Sequence, residues 1–411
     1  MQGRIVISGA GVVSPIGIGR EPFWDGLFGG RTGFRPVTLF DTAPFRVRTA
    51  GEITDFDPAA ILGKKGLRDL DRSTRLVCAA AKLALDDARL AVADPASRRA
   101  GVSIGATFGS LHSISQFDRT GLIEGPRLVN PSHFPNTVIN SPASQISIRF
   151  NLKGFNTTIS TGCCAGIDAL SYAADFIRYG RADLVLAGGV EELCEESFLL
   201  FHHLGYLSGT DGREPVSRPF DARRDGCILS EGAAVLVLES EEHARARAGD
   251  VIAVVKGFGN AFDPGADGSF SHAGQGLRTA IEQALRESEL AAGDIDYVCS
   301  CANSSPGLDR RETQAIKDAL GGRARGIPVS SIKSMIGEAY SASGALAAAA
   351  AAGAVLRGIV PPTVNYGERD PACDLDCVPN EARRQRVRNV LVTASDPYGQ
   401  NTAMVVGACE E

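Results

Sequence analysis

A cysteine placed where a strand turns into a helix is the residue of this sequence with the plainest chemistry. Cys163 lies in the stretch Ser160-Thr161-Gly162-Cys163-Cys164-Ala165-Gly166. The β-branched segment before it, residues 155–159, reads as a strand, and residues 167–177 carry apolar side chains at helical spacing. A thiol in such a bend points toward whatever binds at the end of the sheet, and the first free N–H groups of the helix favour its thiolate. That makes Cys163 a candidate nucleophile. The competing reading is a small buried apolar side chain, the commoner condition of an unpaired cysteine. The ten cysteines, at 78, 163, 164, 194, 227, 299, 301, 373, 377 and 409, form no paired CxxC sets. They belong in a reducing compartment as free thiols, and no structural disulfide is expected.

The rest of the chain has to position that turn. Its 411 residues are 44% apolar and include 47 glycines, enough for one large core or two fused domains with many tight turns. A net charge of −6 and a pI near 5.7 give no basic field, so nucleic acid is not an expected partner. The N-terminus enters an apolar strand without a signal-peptide pattern, and the longest apolar run, residues 345–356, is too short and too rich in alanine to span a bilayer. A cytoplasmic protein without membrane insertion is expected.

Residues 4–17 read as a strand breaking into a glycine loop that lacks the third glycine of a dinucleotide turn. Residues 71–88 form an amphipathic pattern ahead of a strand at 101–105. Residues 182–189 and 233–238 are nearly continuous apolar strands of the kind buried on both faces. The charged run 239–250 reads as a solvated helix and as the boundary between a half spanning 1–247 and a half spanning 248–411. Beyond it strand and helix patterns alternate again at 251–256, 277–285, 297–299, 312–320, 341–356 and 390–392, so the fold class is α/β.

Taken jointly, residues 4–17, the turn 160–166, Arg218-Pro219-Phe220-Asp221-Ala222-Arg223-Arg224-Asp225-Gly226 with Glu231-Gly232-Ala233-Ala234, and Lys333-Ser334-Met335-Ile336-Gly337 resemble the β-ketoacyl-acyl-carrier-protein synthases. These are the condensing enzymes of fatty acid and type II polyketide assembly. The resemblance spans the whole chain. It implies a thiolase-type fold, two βαβαβαβ halves in a five-layer αβαβα arrangement, with the nucleophile turn in the first half and dimerisation through the strand that leads into it. It implies that Cys163 is the acyl-accepting cysteine, that an acyl carrier protein is a partner, and that no cofactor or metal takes part.

Two departures bear on chemistry. Members of that family carry two histidines that bind the malonyl thioester carbonyl and promote decarboxylation. The first sits in a His-Gly-Thr motif, which reads Cys301-Ala302-Asn303 here, and the second in a lysine turn ending Gly-His, which ends Gly337-Glu338 here. The histidines of this chain, at 112, 133, 202, 203, 243 and 272, lie elsewhere. Preorganised donors to a developing oxyanion are worth roughly 3 to 4 kcal/mol each. A cysteine donates feebly, and an ionised glutamate repels both malonate and enolate. Lys333 and Glu312 match residues that brace the pocket and read as a buried ion pair holding two loops. The C-terminal loop, Gly-Phe-Gly-Gly-Thr-Asn in the family, is Asp396-Pro397-Tyr398-Gly399-Gln400-Asn401 here. Aligned without a gap, Pro397 falls at the oxyanion donor position and has no N–H; with a one-residue gap Tyr398 takes that place. Lys64, Lys65 and Arg68, with Arg223 and Arg224, are the candidate docking surface for an acidic carrier, against the alternative of a simply solvated face.

The expectation is therefore a condensation-deficient subunit resembling the chain-length factors, which pair with an active ketosynthase, as a heterodimer or with itself. The alternative is an acyltransferase or thioesterase-like enzyme in which Cys163 accepts an acyl group and Glu338, its pKa raised by burial, acts as base.

Overall fold

The computed structural model describes residues 3–91, 96–265, 268 and 275–409. In its first half, strands β1 (Ile5–Ser14), β2 (Ala100–Gly105), β3 (Asn156–Ile159), β4 (Leu184–Glu191) and β5 (Gly232–Ser240) alternate with helices α1 (Arg72–Asp87) and α2 (Ala165–Arg178). The second half repeats the plan with β6 (Ala253–Phe262), α3 (Gln275–Glu287), β7 (Tyr297–Cys299), α4 (Pro306–Leu320), β8 (Val329–Ser330), α5 (Ser343–Arg357), β9 (Asn389–Ser395) and β10 (Gln400–Gly407).

The sheet order is β3-β2-β4-β5-β1 in one half and β8-β7-β9-β10-β6 in the other. In both, the first two pairings are parallel and the last two antiparallel. The halves are thus topological copies. Where they meet, β1 and β6 pair antiparallel from Ile5 with Val255 to Ile7 with Ala253, so the two sheets continue into one another. Helices α2 and α5 lie between the sheets, α1 covers the first sheet and α3 with α4 the second. This is the five-layer thiolase-type fold.

Small side chains make the central layer possible. Residues 344–354 of α5 are all buried, with eight alanines among them, because a helix pressed between two sheets has no solvent face on which to park a long side chain. The same economy explains β1. Its glycines do not open a loop, as the sequence pattern suggests; the strand runs unbroken to Ser14. A Cβ at Gly9 would sit 2.5 Å from the carbonyl oxygen of Ala84, and one at Gly11 1.9 Å from that of Ala80. The glycines let α1 pack directly on the strand. Helix α1 itself starts where its N-cap Asp71 accepts the Thr74 N–H at 2.8 Å. The charged run 239–250 is only partly the solvated helix expected: Glu239, next to last in β5, is fully buried and bonded to Arg247 and His243, and the helix is Glu241–Ala246. No helix of the described residues is long and apolar enough to cross a membrane.

The end of β4 carries two buried carboxyls. Glu192 accepts the N–H groups of Ser73 at 3.0 Å and His112 at 3.2 Å, but burial, with the charge of Asp71 behind it, pushes it up to about 8. Being raised relative to the unfolded chain, this group costs nothing while both states are protonated and progressively more as pH climbs toward its folded value. Stability is therefore expected to fall by up to about 4 kcal/mol between pH 5 and pH 8 through this group. Urea unfolding at the two pH values checks it: Glu192→Gln should flatten the dependence, and an unchanged slope would refute the assignment.

Candidate functional site

The C-terminal ends of β3, β7, β8 and β9 converge, and each delivers one piece of the site. The turn Gly162–Cys164 follows β3. Gly162 has φ +62°, a left-handed conformation that favours glycine, and a Cβ there would fall 1.9 Å from Asp396 Oδ2. Cys163 is buried at 6% exposure and donates its backbone N–H to Asp396 Oδ2 at 3.0 Å. The loop after β9 turns on that same aspartate, whose Oδ1 accepts the Tyr398 N–H at 2.9 Å. Tyr340 closes the site from another side. It is stacked on Phe108 at 4.9 Å between centroids, edge-on to Phe201 at 5.5 Å, and its O–H donates to Asp396 Oδ2 at 3.4 Å.

The surroundings of the thiol disfavour its ionisation. Burial pushes Cys163 well above the ordinary thiol range, and the carboxylates of Glu338 and Asp396 push it further, against a smaller opposing pull from Lys333. Against the helix N-terminus of the sequence reading stand desolvation and two nearby anions, which act in the same direction. Each of the two pockets that touch Cys163 has room for about one water molecule.

Glu338, at 1% exposure, is the best-satisfied group of the site. Its Oε2 accepts from Lys333 Nζ at 2.7 Å and Asn303 Nδ2 at 2.9 Å, and its Oε1 from Ser343 Oγ at 2.7 Å and the Tyr340 N–H at 3.1 Å. Two acceptor positions per oxygen are thereby filled. Burial alone would lower Lys333, yet the Glu338 charge beside it holds its ammonium above the usual range. The expected Lys333–Glu312 ion pair does not form. Glu312 instead accepts from Ser300 Oγ at 2.5 Å, the Cys301 N–H at 2.9 Å and Thr393 Oγ1 at 2.5 Å, since the glutamate five residues along the lysine's own turn lies closer than one on α4. Cys301, at 3% exposure, shares a small pocket with Cys163 and Lys333, and burial raises its thiol well above the ordinary range.

Residues 2–244 match the family described as Beta-ketoacyl synthase, N-terminal domain, and residues 252–367 match Beta-ketoacyl synthase, C-terminal domain. The chain belongs to the β-ketoacyl synthase family. It is 35% identical over 407 residues to a 3-oxoacyl-[acyl-carrier-protein] synthase 2 of Coxiella burnetii, covering 98% of both chains. It is 38% identical over 418 residues to the tetracenomycin polyketide synthase ketoacyl synthase alpha subunit of Streptomyces glaucescens, covering 99% of this chain and 98% of that one. Among solved structures it is similar to the ishigamide ketosynthase/chain length factor, with a TM-score of 0.94 at 34% identity and full coverage of both chains.

Two carboxylates, those of Glu338 and Asp396, stand near Cys163. No histidine among the described residues lines either pocket at Cys163; His272 lies outside the described residues. Among the described residues no group of three or more His, Cys, Asp or Glu side chains is arranged to hold a metal ion. Lys64, Lys65 and Arg68 are exposed. Arg223 is paired with Asp221 at 3.0 Å, and Arg224 is withdrawn altogether: its side chain is 2% exposed, held by Asp370 at 2.6 Å and Asp309 at 3.5 Å. It is a structural brace and not a docking residue, because two carboxylates inside the fold outcompete solvent for it. Pro397 lines one pocket and Tyr398 is 53% exposed beside it with Gly399 completing the turn. Asp396, Asn303 and Tyr340 were not singled out from sequence. For Asp396 a signal was there, an acidic residue in a loop that the family keeps glycine-rich.

Proposed function

We propose that this chain is a condensation-deficient ketosynthase-family subunit that pairs with an active ketosynthase in carrier-protein-dependent chain assembly, in the manner of a chain-length factor. The observation that carries the reading is Glu338. Where a condensing site needs an N–H aimed at the malonyl carbonyl, this chain has a buried carboxylate with every acceptor position filled, and a weakly donating thiol at Cys301. Neither can steady an enolate. The similarity to the ishigamide ketosynthase/chain length factor supports the pairing role, and the carrier-protein chemistry in the relatives' names supports an acyl carrier protein as partner, with Lys64, Lys65 and Arg68 as its docking residues. The halves 1–247 and 248–411 would act as one body, the first carrying the nucleophile turn.

A partner also fits the surface. Among the described residues strand β3 pairs only with β2 and leaves a sheet edge open. Apolar side chains stand out from the same half, Leu122 at 86%, Ile123 at 71%, Leu128 at 65% and Phe134 at 59% exposure. The acyltransferase alternative is the weaker reading, since Glu338 has no acceptor position left with which to take a proton from an incoming nucleophile.

Co-expression with an active ketosynthase from the same source, followed by sizing and product analysis, tests the proposal. A one-to-one complex is expected, with product chain length changing when this chain is omitted. A stable homodimer that ignores every such ketosynthase, or condensation by this chain alone, would overturn it.

A further inference from the structure

Two backbone N–H groups, that of Cys163 and that of Tyr398 in the loop after β9, are bonded to a single carboxylate. The Cys163 N–H donates to Asp396 Oδ2 at 3.0 Å and the Tyr398 N–H to Asp396 Oδ1 at 2.9 Å. We propose that Asp396 is an internal anion seated in the oxyanion site of Cys163, and that it keeps this cysteine from being acylated by thioesters. The proposal deepens the reading above and rests on it.

A turn-stabilising role accounts for only half of the geometry. An aspartate that accepts the N–H two residues on makes an Asx turn, and Oδ1 does this with Tyr398. Oδ2 does something no local turn requires, bridging 233 positions to the N–H of Cys163. The close approach depends on Gly162, whose missing side chain is where Oδ2 lies. Tyr340 adds a second donor to Oδ2 at 3.4 Å, the third to the carboxylate as a whole, and the aspartate is 4% exposed. A carboxylate bound in this way takes up the N–H of Cys163, the donor nearest its sulfur, before any tetrahedral oxygen can use it.

Acylation of Cys163 would run as an exchange. The sulfur attacks the thioester carbonyl, the carbonyl oxygen becomes an oxyanion, the bond from carbonyl carbon to the departing sulfur breaks, and the thiol proton of Cys163 passes to the leaving thiolate. Such an oxyanion needs N–H donors in place before it forms. Here it meets a carboxylate in place of donors, and like charges at contact repel. Iodoacetamide makes a useful contrast, because its reaction with a thiol displaces iodide and forms no oxyanion.

The test compares the two reactions on the full chain, alone and in complex with its ketosynthase, in the wild type, Asp396→Gly and Asp396→Asn. Acetyl-N-acetylcysteamine and iodoacetamide are the probes, intact mass is the readout, and peptide mapping locates the modified cysteine. Asp396→Gly is expected to speed acetylation of Cys163 by about 10²-fold or more, the effect of regaining oxyanion donors. Alkylation is expected to rise less than about tenfold, through the easier ionisation of a thiol with one fewer anion nearby. Asp396→Asn keeps the Asx turn through its oxygen and turns an NH2 toward the second N–H, so it should fall between; it decides the matter if the glycine variant fails to fold. An equal rise in both reactions would show that Asp396 acts only on the thiol's charge and would overturn the oxyanion assignment, as would no rise in either. Rapid acetylation of wild-type Cys163 without condensation sinks this assignment alone, whereas condensation by the wild-type chain sinks the subunit reading.

Discussion

Lys333→Met is expected to destabilise the fold by about 3 to 5 kcal/mol, the cost of leaving a buried charge without its partner. The wild-type pair at 2.7 Å has both side chains at or below 7% exposure. Removing the ammonium strands Glu338 among three neutral donors, Asn303, Ser343 and the Tyr340 N–H. The pair need not add net stability, since the desolvation of two ions offsets most of their attraction. It is the half-pair that is costly. Adding Glu338→Gln to Lys333→Met should recover much of the loss, although the Asn303 amide would then face another NH2. Against the 5 to 15 kcal/mol typical of folded domains, the single substitution should move the urea midpoint visibly. A shift below about 1 kcal/mol, or a double variant no better than the single, would mean that the pair is not closed in solution.

Cys301→His together with Glu338→His should restore decarboxylation of a malonyl-carrier protein by about 10²-fold or more over the wild-type background, and either change alone by less than about tenfold. The two donors bind one carbonyl oxygen together, so their effects do not add. A histidine at 338 would stand against the Lys333 ammonium, which keeps the imidazole neutral and leaves it an N–H to give. The release of carbon dioxide, with acetyl-carrier identified by mass, checks this. Decarboxylation does not need Cys163 to be acylated, so it should return while Asp396 is still in place. Full condensation should require all three positions, Cys301, Glu338 and Asp396, to change. Wild-type protein that decarboxylates malonyl-carrier at an ordinary ketosynthase rate would refute this account of positions 301 and 338.

Much of this molecule was legible as pattern. The strand before Cys163, the helix after it and the alternation that restarts past residue 250 are local signals, carried by β-branching, helical spacing and apolar runs, and the structure contains each as an element. That cysteine stands at 301 and glutamate at 338 was equally visible, because a motif with fixed spacing displays its own residues. The glycines of β1 misled, since a glycine that opens a loop and a glycine that admits a neighbouring helix look alike until the helix is in place.

What remained hidden was the choice of partner for each buried charge. Residue types and order determined the α/β repeat, the strand-to-helix turn at Cys163, the family and the residues at 301 and 338. They did not determine that Lys333 turns to Glu338 and leaves Glu312 to neutral donors, that Arg224 is consumed inside the fold, or that Asp396 reaches across to the N–H of Cys163. In a low-dielectric interior a charge goes to whichever counter-charge or donor lies within about 3 Å, and which group that is depends on how four strand ends from both halves of the chain are brought to one point. No local pattern encodes that distance. For the same reason the setting of Cys163 was hidden: the helix N-terminus is written in the sequence around it, whereas the burial and the two carboxylates that disfavour its thiolate come from residues far along the chain.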